Sequence, residues 1–173
     1  MTKAVELRRH TDNDGDVLTA DGVRAALEIG ACLHGGYELL VSSGMQRATQ
    51  TLACFLAGLG QRVPGGAIVE PGLRTETEGR WREIYAETGK PDLESFRLAD
   101  PEFVAAEAER LGAALGRIFG ALSESSRALA VGHSPTNEAA VFALTGQVVG
   151  PLAKGAGVIV VADGNKYWAE PLD

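Results

Sequence analysis

Apolar and polar positions in this chain switch between two periods. Ala4 to Arg9 mixes apolar and charged positions, then stops at His10 before the acidic, turn-rich loop Asp12-Asn13-Asp14-Gly15-Asp16, the mark of a first strand. Thr19 to Gly35 has helical spacing: Thr19 as N-cap, Asp21 in the first turn, Val23, Leu27 and Ala31 on one face, Gly35-Gly36 as the stop. Leu39-Leu40-Val41 is too short a run for a helix and ends at Ser42-Ser43-Gly44. Met45 to Leu59 returns to helical spacing, with Ala48, Leu52, Phe55, Leu56 and Leu59 in one stripe. Ala67 to Val69 is a third strand.

Glu70 to Pro101 is long, polar and weakly periodic. It reads as a lid-like insertion at about residues 70–100, with one short helix around Trp81 to Glu87. Pro101 to Ser123 is the longest helix, burying Phe103, Leu111, Leu115, Ile118 and Leu122. Arg127 to Val131 is a strand, and Asn137 to Leu144 is a helix broken by Gly146. Val158 to Val161 has no polar alternation, as in a strand buried on both faces. Lys166 to Glu170 can pair with it across Asp163-Gly164-Asn165. Strands alternating with helices predict an α/β fold, a three-layer α/β/α sandwich on a mostly parallel sheet. No repeat or linker divides the chain, so residues 1–173 read as a single domain.

Composition narrows the function classes. A net charge of −7 argues against an extended nucleic-acid surface. No apolar run approaches the ~20 residues of a membrane helix. Met1-Thr2-Lys3 leads straight into a strand and lacks the character of a signal peptide, which points to the cytoplasm. Cys32 and Cys54 lie in apolar helical segments and read as reduced thiols without ligand spacing. The histidines lack metal-ligand spacing too, so neither metal nor cofactor is expected. Oligomeric state is not encoded in the pattern.

The candidate chemistry lies at two strand ends. In an open α/β sheet the C-terminal ends of the strands form the ligand crevice. Arg9-His10 closes the first strand-like run, and His133, followed by Ser134, closes the later run that begins at Ala128. Arg8 alternates to the opposite face and reads as structural. His34 sits near a helix C-terminus and reads as a surface residue.

Leu7-Arg8-Arg9-His10-Thr11 is similar to the Arg-His strand end of the histidine phosphatase superfamily, the phosphoglycerate-mutase-like fold. Three more segments resemble that family in its own order. They are Leu18-Thr19-Ala20-Asp21-Gly22, the Ser42 to Thr51 segment carrying Arg47-Ala48, and Val131-Gly132-His133-Ser134. The resemblance implies a metal-independent phosphomonoesterase acting through a phosphohistidine. His10 would attack phosphorus, while Arg9, Arg47 and His133 hold the phosphoryl group. Planar guanidinium forks match phosphate oxygens, and the helix start at Arg47 offers backbone N–H groups as well.

Thr11, Asn13, Thr19 and Ser134 are the candidate substrate-binding residues. For the acid that protonates the leaving group, the family's Leu-x-Glu spacing falls on Thr75, and a one-residue shift brings in Glu76. Glu76 is preferred, then Glu78 and Glu83, against the reading in which all three are solvated charges. Without an acid, good leaving groups including phosphoramidates would be favoured. A phosphorylated small molecule is the expected partner. The alternatives are a protein phosphohistidine phosphatase and a non-catalytic member that binds phosphorylated ligands.

Overall fold

The computed structural model describes residues 1–172. Its organising element is β1 (Thr2–Arg9), which lies between β6 (Arg127–Gly132) and β7 (Gly157–Asp163). With β4 (Leu39–Ser42), β5 (Ala67–Val69) and β8 (Lys166–Pro171) they form a six-stranded sheet ordered β5-β4-β6-β1-β7-β8. β5, β4, β6 and β1 run parallel, whereas β7 is antiparallel to both its neighbours. Parallel neighbours need crossover connections, and helices supply them. The anticipated hairpin at the C-terminal end forms, with Gly164 at φ +59° in its turn. No helix among the described residues is long and apolar enough to cross a membrane.

The sheet is covered on both faces, which makes the predicted three-layer sandwich. On one face Val5, Leu7, Val41 and Ala130 pack with Leu111, Leu115 and Ile118 of α5 (Pro101–Ala121) and Val141 of α6 (Thr136–Thr145). On the other, Leu40, Leu129 and Val131 pack with Ala26 of α1 (Ala20–Cys32) and Leu52 and Phe55 of α2 (Gln46–Leu59). Arg8 lies on this second face, where its Nε donates to the buried Glu6 at 2.7 Å.

Two expectations change. The buried face of α1 is Gly22, Ala26 and Gly30, not Val23, Leu27 and Ala31, and Val23 and Leu27 are partly exposed. Helix contact decides this. A Cβ on Gly30 would fall 2.6 Å from the Phe55 carbonyl, and one on Gly58 would fall 2.3 Å from that of Leu27. α1 and α2 therefore approach backbone to backbone, and only small residues fit between them.

The segment at 70–100 is also more ordered than its polarity suggests. After a 3₁₀ turn at Pro71–Leu73 it forms α3 (Glu78–Thr88) and α4 (Leu93–Ala99), two helices where one was expected. Leu73, Trp81, Ile84, Leu93 and Phe96 join the main core. Trp81 meets Phe96 and Phe103 edge-on, with ring centroids 5.3 and 5.1 Å apart. Each helix contributes only a couple of large apolar residues, too few for periodicity to reveal.

Candidate active site

The two strand ends are tied together by one side chain. The Asn137 Oδ1 accepts from the His133 backbone N–H at 3.2 Å, and its Nδ2 donates to the Arg8 carbonyl at 3.0 Å. Gly132 permits this, since a Cβ there would lie 2.3 Å from that Oδ1. The His10 N–H donates to the Gly132 carbonyl at 3.1 Å. The rings of His10 and His133 consequently stand 5.2 Å apart, tilted by 57°.

The His10 ring orientation follows from its partner. Its Nδ1 lies 2.8 Å from the Thr11 carbonyl, which can only accept. Nδ1 therefore carries the proton and Nε2 keeps its lone pair. Burial pushes the His10 pKa down to about 4, against the Thr11 carbonyl that raises it and with help from Arg47, Arg9 and Lys154. Burial likewise lowers His133 to about 3, aided by Arg47, His10 and Arg9. Both rings are neutral near pH 7, so His133 is a polar contact rather than a third cation. Its Nε2 lies 2.7 Å from the Ser43 hydroxyl, and its buried Nδ1 has no hydrogen-bond partner among the described residues.

Two arginines flank the histidines. Arg9 Nη1 donates to the Leu152 carbonyl at 2.8 Å, while its buried Nε has no hydrogen-bond partner among the described residues. Behind it, the buried Glu138 accepts from the Leu152 N–H at 2.8 Å and from the Ser134 hydroxyl, and burial pushes its pKa up. Arg47 lies in the first turn of α2, as expected, but the helix end faces a carboxylate. Asp16 accepts from the N–H groups of Gln46 and Arg47 at 3.1 and 3.3 Å and from Arg47 Nη1 at 3.1 Å. A small hairpin, β2 (Asn13–Asp14) and β3 (Val17–Leu18), turns at Gly15 and presents it. Asp16 escaped the sequence reading as one more turn acid. The signal was Met45, which stands at the N-cap of α2 and has no side chain able to cap it.

These groups open onto a cavity of about 780 Å³ lined by Arg9, His10, Arg47 and His133, with Asn13 and Ser134 beside them. Thr11 and Thr19 do not line it. The Thr11 hydroxyl is buried and donates to the Gly22 carbonyl at 2.8 Å; Thr19 caps α1 and donates to Asp12 at 2.9 Å. Glu76 is exposed and outside the cavity, and Glu83 pairs with Arg80 away from it. Glu78 lines the wall, 2.9 Å from Arg82 and 3.7 Å from Arg47.

Thr75 lines the cavity too and donates to Glu107, which also accepts from Trp81 Nε1 at 3.2 Å. Both cavity carboxylates, Asp16 and Glu78, are thus paired with arginine. Arg74 lines the wall beside Met45 with no carboxylate within ion-pair distance among the described residues. Nor do the described residues contain a cluster of three or more His, Cys, Asp or Glu that could hold a metal ion.

The model of the histidine phosphatase superfamily, branch 1, matches residues 2–154. No curated protein matches the chain. Among solved structures, mycobacterial glucosyl-3-phosphoglycerate phosphatase is similar at a TM-score of 0.71 and 17% identity, covering 99% of this chain and 98% of the other. Phosphoglycerate mutase from Bacillus anthracis str. Sterne gives 0.67 and 16%, covering 99% and 92%. The protein histidine phosphatase SixA, complexed with tungstate, gives 0.58 and 21%, covering 97% and 96%. At such identities the likeness is one of fold.

Proposed function

Because the chain belongs to the histidine phosphatase superfamily, branch 1, we propose that it hydrolyses phosphomonoesters through a phosphohistidine at His10, without a metal ion. The observation that carries this reading is the His10 ring itself: neutral, locked by the Thr11 carbonyl, and turned beside His133 into a cavity that Arg9 and Arg47 also line. A neutral imidazole with a free Nε2 is the nucleophilic form. Attack forms the Nε2–P bond and breaks the bond to the leaving oxygen. Water then cleaves the phosphohistidine and restores His10. Arg9 and Arg47 hold the equatorial oxygens, and His133 adds a neutral hydrogen bond. Losing one preorganised contact of this kind typically costs ~3–4 kcal/mol of barrier.

A cavity of about 780 Å³ has room for the leaving group of a phosphorylated small molecule as well as the phosphoryl group. Thr75 stands where the family spacing puts an acid, and the two cavity carboxylates are engaged by arginine. This favours leaving groups that depart readily, including aryl phosphates. It also favours a second reading, a protein phosphohistidine substrate, because a phosphoramidate nitrogen leaves without a strong carboxylic acid beside it.

The test is turnover of an aryl phosphate in the presence of a chelator, with mass spectrometry of the quenched enzyme. Phosphate on His10, absent in His10→Ala, is the expected result. Phosphate binding without any turnover would leave a non-catalytic phosphate-ligand protein and sink the enzyme reading.

A further inference from the structure

The helix end and arginine that should meet the phosphoryl group already hold an anion. Asp16 uses both carboxylate oxygens on the first N–H groups of α2 and one of them again on Arg47 Nη1. The Arg47 side chain is mostly buried, whereas that of Asp16 is 41% exposed on its hairpin. The charged groups facing this point come from several elements. Arg9 follows on β1. Glu78 lies 3.7 Å from Arg47 on α3, where Arg82 pairs with it at 2.9 Å. Arg74 stands beside Met45, and Lys154 is paired with Asp12 at 3.0 Å. At the centre Arg47 is therefore offset first by Asp16 and more weakly by Glu78, which Arg82 shares, with both histidines neutral.

Resting on the phosphatase reading above, we infer that Asp16 determines specificity for the protonation state of the substrate, so that the site takes the phosphoryl group as its monoanion rather than its dianion. A dianion at Arg47 meets the Asp16 carboxylate as a like charge. A monoanion offers a P–OH, which donates to that carboxylate instead of opposing it. The same proton balances the first chemical step: the Nε2–P bond forms, the P–O bond to the leaving group breaks, and the phosphoryl proton passes to the departing oxygen. The products are a neutral alcohol and a phosphorylated His10 that keeps the single negative charge. This supplies the proton that Thr75 cannot.

Inorganic phosphate binding to the full chain, followed by calorimetry at about pH 5.5, where the ion is mostly the monoanion, and at about pH 8.5, where it is mostly the dianion, tests this without requiring turnover. The wild type should bind more tightly at the lower pH. Asp16→Asn and Asp16→Ala should each bind about tenfold more tightly than wild type at the higher pH, the size of one removed like charge at a partly exposed site. The upper limb of kcat/KM with an aryl phosphate should also move to higher pH in both. If neither variant tightens phosphate at high pH, or if both weaken it throughout, Asp16 merely orders Arg47 and the inference falls. Failure of the wild type to turn over any aryl phosphate would overturn the phosphatase reading instead, a separate result.

Discussion

The two sides of the cavity are built differently. The strand-end side, with His10 and His133, is held by backbone geometry: adjacent parallel strands, a glycine at 132 and the Asn137 bridge. The helical side, α3 and α4, buries its apolar residues in the core but shows the cavity charged side chains in ion pairs. The first side has few ways to rearrange, because each polar contact is fixed by the sheet. The second can exchange partners among Arg74, Arg82 and Glu78, the last of which also lies 3.7 Å from Arg47 on α2. Chemistry should therefore depend on the first side and substrate choice on the second.

The sharpest way to break this division is at the nucleophile. His10→Ala should lower kcat by roughly four orders of magnitude or more, as removal of a covalent nucleophile does elsewhere. The wild-type pH profile should carry an acid limb near pH 4. The neutral ring is the reactive form, so kcat/KM falls as pH drops through about 4 and His10 takes a proton. A limb near the ordinary histidine value of about 6.5 would mean that the ring is not buried as described.

Gly132→Ala is expected to come next. The new Cβ would displace the Asn137 side chain, which holds the backbone of His133 and the carbonyl of Arg8. The expected loss is about 10²-fold in kcat, the scale of misplacing a catalytic group by about an ångström. KM should change little, which makes the kcat to KM split the informative measurement.

Trp81→Ala probes the other side. Its ring is buried against Phe96 and Phe103, so truncation should cost about 3–5 kcal/mol of stability in denaturant unfolding. kcat on a small aryl phosphate should stay within a few-fold of wild type at a temperature where the variant is folded. A collapse of kcat in a folded variant would show the two sides to be coupled.

How much of this was legible follows the same division. The strand ends, the βαβ order and the grouping of His10, His133, Arg9 and Arg47 around one cavity could be read because local runs and sheet topology place them. What escaped depends on contacts between distant segments. The buried face of α1 falls one residue away from the apolar spacing because close backbone contact selects small residues there, with Asp12 of the preceding loop at Gly22 and with α2 at Gly30. Asp16 looked like a turn residue because its function is set by α2, thirty residues on. α3 and α4 looked irregular because two short helices share a few buried side chains. Thr11 looked like a phosphate ligand because its neighbour is His10, yet its hydroxyl serves α1.

The smallest predicted effect separates two glutamates that sequence could not. Glu76 is exposed and outside the cavity, so Glu76→Gln should change kcat and KM less than twofold. Glu78 lines the cavity between Arg47 and Arg82, so Glu78→Gln should free both cations and lower KM several-fold for a substrate with a second negative charge. For a singly charged aryl phosphate the change should be smaller. The contrast between those substrates is the measurement. If Glu76→Gln instead lowers kcat most for poor leaving groups, Glu76 reaches the leaving oxygen after all. The helical side would then supply the acid as well as the selectivity, and the division between the two sides would fail at that point.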